Sequence, residues 1–247
     1  MNLGHEHHKD AMNTQIAFNS KICFTGAPAS GLERMAIAVH KVAEVATGGG
    51  ITFFNHGIWL DPESAFLRDD HLKRAREEFL ITDTFLGAHG PRGEEQGFYL
   101  LRGPLDVMAL ARIQNVALPS ECAKTCSRLL ERVQLVAFQL PDLDGWRWKG
   151  FDQRRIGWFT NYTKTLFEIA REHGLRLEQF RVLSPQRGDL NFNVSEAFWR
   201  IFGTNVNPLR PADRTKPLAS AVRTYETQCR EIFDGRNGSV FGGPHLV

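Results

Sequence analysis

Apolar positions in the first part of the chain change from a strand pattern to a helix pattern. The run KICFTG is short and apolar, which predicts a strand that ends at Gly26. From Leu32 to Val45 the apolar residues recur at helical spacing, and the glycines after Thr47 would end that helix. The order strand, glycine turn, helix is typical of the first unit of an α/β fold.

The same alternation continues towards the carboxyl terminus. A charged amphipathic helix is predicted at 62–86, and a loop rich in helix breakers follows at 87–97. The other predicted strands are 51–54, 98–101, 133–140 and 177–183, and the other predicted helices are 105–116, 120–132, 155–173, 194–202 and 219–233.

Strands that alternate with helices favour a mainly parallel sheet covered on both faces, so the predicted fold is a three-layer α/β/α domain. We expect this domain at 21–204, a flexible tail at 1–20, and a C-terminal extension of loop and helix at 205–247. Ligands of such sheets bind beyond the carboxyl ends of the strands. Gly31, Arg102 and Asp142 follow predicted strands, which indicates one shared site at that edge.

The composition narrows the class of protein only slightly. The 247 residues are 42% hydrophobic and carry a formal net charge of +2, which by itself does not indicate a nucleic-acid partner. Four cysteines without a CxxC pair argue against a zinc ribbon or a disulfide framework. The histidines at 5, 7 and 8 indicate either a metal-binding segment or a mobile tail.

The apolar runs of the sequence are shorter than a membrane-spanning segment requires. The N-terminus also lacks the basic and then apolar order of a signal peptide. We therefore expect a cytoplasmic protein that does not enter a membrane.

The segment GAPASGLE, from Gly26 to Glu33, carries the candidate chemistry of the first unit. It resembles the phosphate-loop pattern GxxxxGK followed by Ser or Thr, in which backbone amides and a helix N-terminus hold an anion. Leu32 replaces the lysine and Glu33 replaces the hydroxyl residue, while Arg34 is a candidate substitute cation. The residues predicted to bind a cofactor are Gly26, Ala27, Pro28, Ala29, Ser30, Gly31, Leu32, Glu33 and Arg34.

A second motif follows in GFYLLRGPLDVMALARI, where a predicted strand ends at Arg102, Gly103 and Pro104 and a helix begins near Asp106. Together with the glycine turn, it resembles P-loop nucleoside and nucleotide kinases, including the ribosylnicotinamide kinase group. Leu101 stands where that family has an acidic residue. The resemblance implies a P-loop NTPase-like fold with a degenerate Walker A motif, bound ATP and Mg²⁺, and phosphoryl transfer to a nucleoside, nucleotide or nucleic-acid acceptor.

The resemblance continues in order to Leu183. The segment DGWR contains Arg147, and Arg154 and Arg155 head the next helix, which resembles the arginine-bearing lid of such kinases. Positive charge of this kind stabilises the transition state of phosphoryl transfer. The residues implied to act in catalysis are Arg102, Asp106, Arg147, Arg154 and Arg155.

Two alternatives remain open. GAPASG and LLRGPLD also resemble sulfotransferases, for which His89 would be the catalytic histidine and phosphoadenosine phosphosulfate the donor, although Ala29 replaces their usual basic residue. The other alternative is a binding or regulatory protein on a P-loop scaffold whose catalysis has decayed. The transferases would bind a nucleotide-type small molecule. The decayed protein would instead bind another subunit or a nucleic acid, the latter stacked on Trp146, Trp148 and Phe151.

Overall fold

In a computed structural model of the protein, the structure describes residues 17–26, 30–55, 97–140, 153–183 and 190–203, together with 73, 76, 77, 79, 80 and 82–84. At 153–156 and 190–193 it describes the backbone alone. Residues 1–16 of the predicted tail, the predicted loop at 87–97 apart from Gly97, and the predicted extension at 205–247 lie outside the described residues.

The strands of the described residues form one parallel sheet in the order β2-β3-β1-β4-β5. Their bounds are β1 Lys21–Gly26, β2 Ile51–Asn55, β3 Gly97–Leu101, β4 Leu135–Gln139 and β5 Phe180–Leu183. β1 lies at the centre because β3 and β4 pair with its two edges. The first strand of the chain is therefore hydrogen-bonded on both sides, and its carboxyl end is flanked by those of β3 and β4.

Helices cover both faces of the sheet. Their bounds are α1 Leu32–Thr47, α2 Pro104–Ile113, α3 Ser120–Arg132, α4 Gln153–Glu172 and α5 Leu190–Phe202. α2 packs against α3 and α4, and α1 packs against α5. In the segment predicted as a helix at 62–86, the described residues are helical and Phe79 is fully buried.

The side chains of β1 alternate between two apolar cores. Cys23 belongs to the core beneath α2, α3 and α4, whereas Ile22 and Phe24 belong to the core beneath α1 and α5. Successive residues of a strand point to opposite faces, so a strand that feeds two cores lies between two helical layers. The predicted three-layer α/β/α architecture with a parallel sheet is confirmed.

Several boundaries differ from the prediction: the helix predicted at 194–202 begins at Leu190, and the strand predicted at 133–140 spans Leu135–Gln139. Two further differences have a visible local cause. The segment predicted as a strand at 177–183 begins with a 3₁₀ turn, Leu177–Gln179, and is extended only from Phe180. The Gln179 side chain accepts a hydrogen bond from the Arg176 N–H at 2.8 Å, a local bond that competes with strand pairing. The spacing of the apolar residues carries no information about such a bond.

The helix predicted to reach Val116 ends at Ile113. Asn115 adopts the left-handed conformation with φ 53°, and the N–H of Val116 bonds to the carbonyl of Ala111 at 2.9 Å. This is the Schellman arrangement, in which a residue with positive φ, usually Gly and sometimes Asn, closes a helix.

Candidate functional site

The glycine turn lies at the carboxyl end of the central strand. Gly26, the last residue of β1, has φ 138°, and a Cβ there would overlap the backbone of Gln139 in β4. Gly31 has φ 78° and immediately precedes α1. The backbone conformation therefore favours glycine at both positions. The turn connects a buried strand to a helix N-terminus, where backbone N–H groups favour anions.

The first turn of α1 separates the predicted cofactor residues into two groups. Leu32 is 2% exposed and belongs to the core between α1 and the sheet, whereas Glu33 and Arg34 are exposed. The position that holds lysine in the phosphate-loop pattern is thus a core position here. Ala27, Pro28 and Ala29 lie outside the described residues.

Two buried side chains donate hydrogen bonds to the ends of the glycine turn. Nη1 of Arg102, the residue after β3, donates to the Gly26 carbonyl at 2.5 Å. Nε2 of Gln139, the last residue of β4, donates to the Ser30 carbonyl at 2.5 Å. Arg102 is 4% exposed and Gln139 is 3% exposed, so both bonds are shielded from water. The two strands that flank β1 therefore hold the two ends of the turn.

Asp106 joins this turn to helix α4. Its Oδ1 accepts hydrogen bonds from Thr25 Oγ1 at 2.9 Å and from Tyr162 OH at 2.5 Å, and lies 3.2 Å from Arg102 Nη1. We call Thr25, Arg102, Asp106 and Tyr162 the Asp106 cluster. The cluster connects β1, the end of β3, α2 and α4, and it holds Arg102 with φ 55°. A positive φ is uncommon for a residue with a side chain.

Burial decides the protonation chemistry of the cluster. Complete burial raises the pKa of Asp106, an effect that the Arg102 charge and the hydrogen bonds from Tyr162 and Thr25 oppose. Burial, together with the Asp106 charge, raises the pKa of Tyr162 well above its usual range, so its hydroxyl remains a donor. Burial also raises the pKa of the neighbouring Cys23 thiol far above neutrality, which leaves it without nucleophilic character.

Two oxygens beside the turn are buried without a hydrogen-bond partner. They are Asp106 Oδ2 and Gln139 Oε1, both of residues within the described part of the chain. Buried polar groups are nearly always paired, so two unpartnered oxygens on residues that contact the glycine turn or its neighbours are unusual. Across the ranges that the structure describes, no group of three or more His, Cys, Asp or Glu side chains is placed to hold a metal ion.

The predicted site residues divide by what the structure describes. Arg102 and Asp106 come together at the turn, as residues after strands of a parallel sheet should. Arg154 and Arg155 lie in the first turn of α4, where only the backbone is described. His89 and Arg147 lie outside the described residues, so their predicted roles remain predictions.

Sequence patterns missed three residues of the site. Thr25 and Gln139 stand inside apolar strands, and Tyr162 stands on the buried side of a helix. The usable signal was a polar residue in an otherwise apolar run, as in the segment VAFQL that contains Gln139. Its partner Ser30 was predicted as part of the phosphate-loop pattern but lies 109 positions away, so the sequence did not pair the two residues.

Comparison with known protein families finds no family model that matches this chain. Comparison with curated proteins likewise finds no match. Among solved structures, the chain is similar to thymidylate kinase from Ehrlichia chaffeensis, with 13% sequence identity and a TM-score of 0.42. The match covers 73% of this chain and 96% of that chain. Identity and TM-score at these values assign neither a family nor an activity.

Among the described helices, none is both long enough and apolar enough to cross a membrane.

Proposed function

We propose that this protein is a P-loop nucleotide-binding transferase of kinase-like descent, which moves a phosphoryl group to a nucleoside, nucleotide or nucleic-acid acceptor. The observation that carries the proposal is the glycine turn, from Gly26 to Gly31, held between the central strand and the N-terminus of α1. Each end of this turn is fixed by a buried side chain from a neighbouring strand. A fixed turn of this kind supplies preorganised N–H donors for phosphate oxygens.

Two exposed charges in the first turn of α1 fit a nucleotide with its metal ion. Glu33 and Arg34 are both exposed in the first turn of α1, so the proposal assigns Arg34 to a phosphate and Glu33 to Mg²⁺. ATP with Mg²⁺ is the proposed ligand, and phosphoadenosine phosphosulfate is the competing donor. The predicted lid arginines Arg147, Arg154 and Arg155 would close over the same phosphates, and His89 would act only in the sulfotransferase alternative.

A second candidate function is nucleotide binding without group transfer. It is favoured by Leu32, which places an apolar core side chain where phosphate loops have lysine. It is also favoured by Arg102, whose guanidinium contacts the Asp106 carboxylate instead of extending to the protein surface. A cation that a carboxylate already neutralises contributes little to stabilising the transition state of phosphoryl transfer.

Binding is tested by calorimetric titration with MgATP and, separately, with adenosine 3′,5′-bisphosphate. The Arg34→Ala variant should lose about 10- to 150-fold in MgATP affinity, since a charge-assisted hydrogen bond contributes about 1.5 to 3 kcal/mol. Lys41→Ala is the matched control, because Lys41 is also exposed on α1 but lies two turns further along. Tighter binding of the bisphosphate than of MgATP would favour the sulfotransferase, and absence of binding by either compound would refute both.

Turnover separates transfer from binding alone. We expect weak or undetectable kinase activity in the wild-type protein. Leu32 offers no positive charge to the terminal phosphates, and the Glu33 carboxylate repels them wherever Mg²⁺ does not neutralise it. The double variant Leu32→Lys, Glu33→Ser restores the phosphate-loop pattern, and Glu33→Ser alone avoids any disturbance of the core. Robust wild-type activity that the double substitution abolishes would show that the present side chains form a working variant of the site.

A further inference from the structure

Gln139 occupies an unusual place for a polar side chain. It ends β4, is 3% exposed, and its backbone lies against Gly26, where a Cβ on residue 26 would overlap it. Its side chain reaches across the end of β1 and donates to the Ser30 carbonyl at 2.5 Å. An apolar residue of similar size would fill the same space and leave that carbonyl without this donor.

The Ser30 carbonyl and the Gly31 N–H belong to the same peptide unit, so the contact with Gln139 orients both groups. A trans peptide is planar, and its C=O and N–H groups point in opposite directions. Because Gln139 draws the Ser30 carbonyl inward, the N–H of Gly31 in the same peptide unit is turned away from Gln139. Gly31 is exposed and directly precedes α1, so this N–H lies with the first amides of the helix.

We propose that Gln139 is a positioning residue for anion binding, and that it fixes the peptide between Ser30 and Gly31 with the N–H group facing the phosphates. The inference rests on the proposed function for the identity of the ligand. Arg102 makes the equivalent contact at the first end of the turn, through the Gly26 carbonyl. Gln139 Oε1, buried and unpartnered within the described residues, lies on the same side-chain amide beside the turn.

The first experiment compares Gln139→Met with Gln179→Met. Gln179 is a matched control, because its Nε2 also donates to backbone carbonyls, those of Val133 at 3.2 Å and Gln134 at 3.3 Å, before the start of β4. We expect Gln139→Met to bind MgATP and inorganic pyrophosphate about 10-fold more weakly, and Gln179→Met to bind both as the wild type does. Equal affinity of the Gln139→Met and wild-type proteins would overturn the proposal.

A second variant, Gln139→Glu, keeps the shape of the side chain and makes its donor depend on pH. An ionised carboxylate only accepts hydrogen bonds, whereas a protonated carboxyl can donate to the Ser30 carbonyl. Pyrophosphate affinity of this variant, relative to the wild type at each pH, should therefore recover as the pH is lowered. A ratio that does not change with pH would contradict the donor role, and this arm remains decisive if Gln139→Met fails to fold.

Amide exchange tests the positioning without any ligand. In ¹⁵N-resolved spectra, the Gly31 amide signal should shift and its hydrogen-exchange rate should change in Gln139→Met, while both stay unchanged in Gln179→Met. If the wild type binds neither MgATP nor pyrophosphate, the proposed function fails, and the Gly31 amide still decides whether Gln139 sets this peptide. An unchanged Gly31 amide would refute the positioning role by itself.

Discussion

Gly26 is a position of the glycine turn that has no space for a side chain. Gly26→Ala would force a non-glycine residue to φ 138° and press a Cβ into the backbone of Gln139. We expect a loss of about 3 kcal/mol or more in the free energy of unfolding, since both backbone strain and overlap with main-chain atoms contribute. The measurement is chemical denaturation followed by circular dichroism.

Gly157→Ala provides the control for that substitution. Gly157 is exposed inside α4, and a Cβ there would meet no atom within 4 Å. Alanine in a helix interior is more favourable than glycine by about 0.8 to 1 kcal/mol, so this variant should be more stable than the wild type. Similar losses in both variants would show that the close approach at Gly26 is not what requires glycine.

Asp106 is a buried carboxylate partner of the buried Arg102. Asp106→Asn keeps the shape of the side chain but removes the charge 3.2 Å from Arg102 Nη1. Removing one partner of a buried ion pair costs about 3 to 5 kcal/mol, and we expect a loss of that size. Tyr162→Phe, which removes one hydrogen bond to the same oxygen, should cost about 1.5 to 3 kcal/mol.

Thermal and chemical unfolding of these two variants checks the order of the losses. If Asp106→Asn changed the unfolding free energy by less than about 1 kcal/mol, the Asp106 cluster would not be a structural unit. The sequence indicated Arg102 from its place after a strand, and Asp106 through the resemblance to P-loop kinases. It did not indicate the hydrogen bonds from Thr25 and Tyr162 to Asp106, because these donors lie 81 and 56 positions away along the chain.

At the scale of elements, an ion pair joins the exposed ends of α2 and α4. Arg112 donates two hydrogen bonds to the carboxylate of Glu172, at 2.8 and 2.6 Å. The pair lowers the pKa of Glu172 below its ordinary value of 4.5, so its contribution is present above that value and is lost as the pH falls through the lower folded-state value. Both side chains are about half exposed, which limits the contribution to roughly 0.2 to 1 kcal/mol.

Glu172→Gln tests this contribution. The unfolding free energy of the variant should be lower than that of the wild type by less than about 1 kcal/mol at pH 7, and the difference should disappear in acid or in high salt. The comparison is made as a difference between the two proteins at each pH, since the buried Asp106 titrates in both. A difference that persists in acid strong enough to protonate Glu172 in the folded protein would mean that Glu172 acts through packing and not through charge.

Element boundaries show what local patterns can and cannot predict. Gly48 and Gly174 close α1 and α4 with φ 70° and 76°, and glycine at these places was a sufficient signal. Asn115 closes α2 in the same conformation without glycine, so the prediction continued for three residues too many, to Val116. Alternation of strands and helices predicted the elements, but helix ends set by a single residue's backbone required the structure.

At the scale of the whole molecule, the sequence predicted the sheet and its two helical layers but not the order of the strands within the sheet. The alternating pattern implied a parallel sheet with two apolar faces, and the sheet has both. The order β2-β3-β1-β4-β5 did not follow from it, because periodicity says which residues are buried and not which strands are adjacent. The contacts of Gln139 and Tyr162 at the turn depend on that order, and this is why the sequence did not show them.

The central position of β1 has a consequence for how the chain is made. β1 precedes both of its partner strands in the chain, since Lys21 pairs with Phe98 and Ile22 pairs with Leu135. One edge of this apolar strand can therefore pair only after β3 has been synthesised, and the other edge only after β4. Pairing between such distant segments is slow and leaves nascent chains prone to aggregation.

A nascent chain arrested at Arg132 has β1, β2 and β3 but lacks β4, so one edge of the central strand would be open. We expect the corresponding fragment to unfold without a cooperative transition and to bind chaperones, whereas the complete chain should unfold cooperatively. Calorimetry of the purified fragment measures this, and a sharp endotherm would show that three strands suffice. If none is observed, cooperative folding requires the strand that ends at Gln139, which also brings the hydrogen bond from Gln139 to the Ser30 carbonyl.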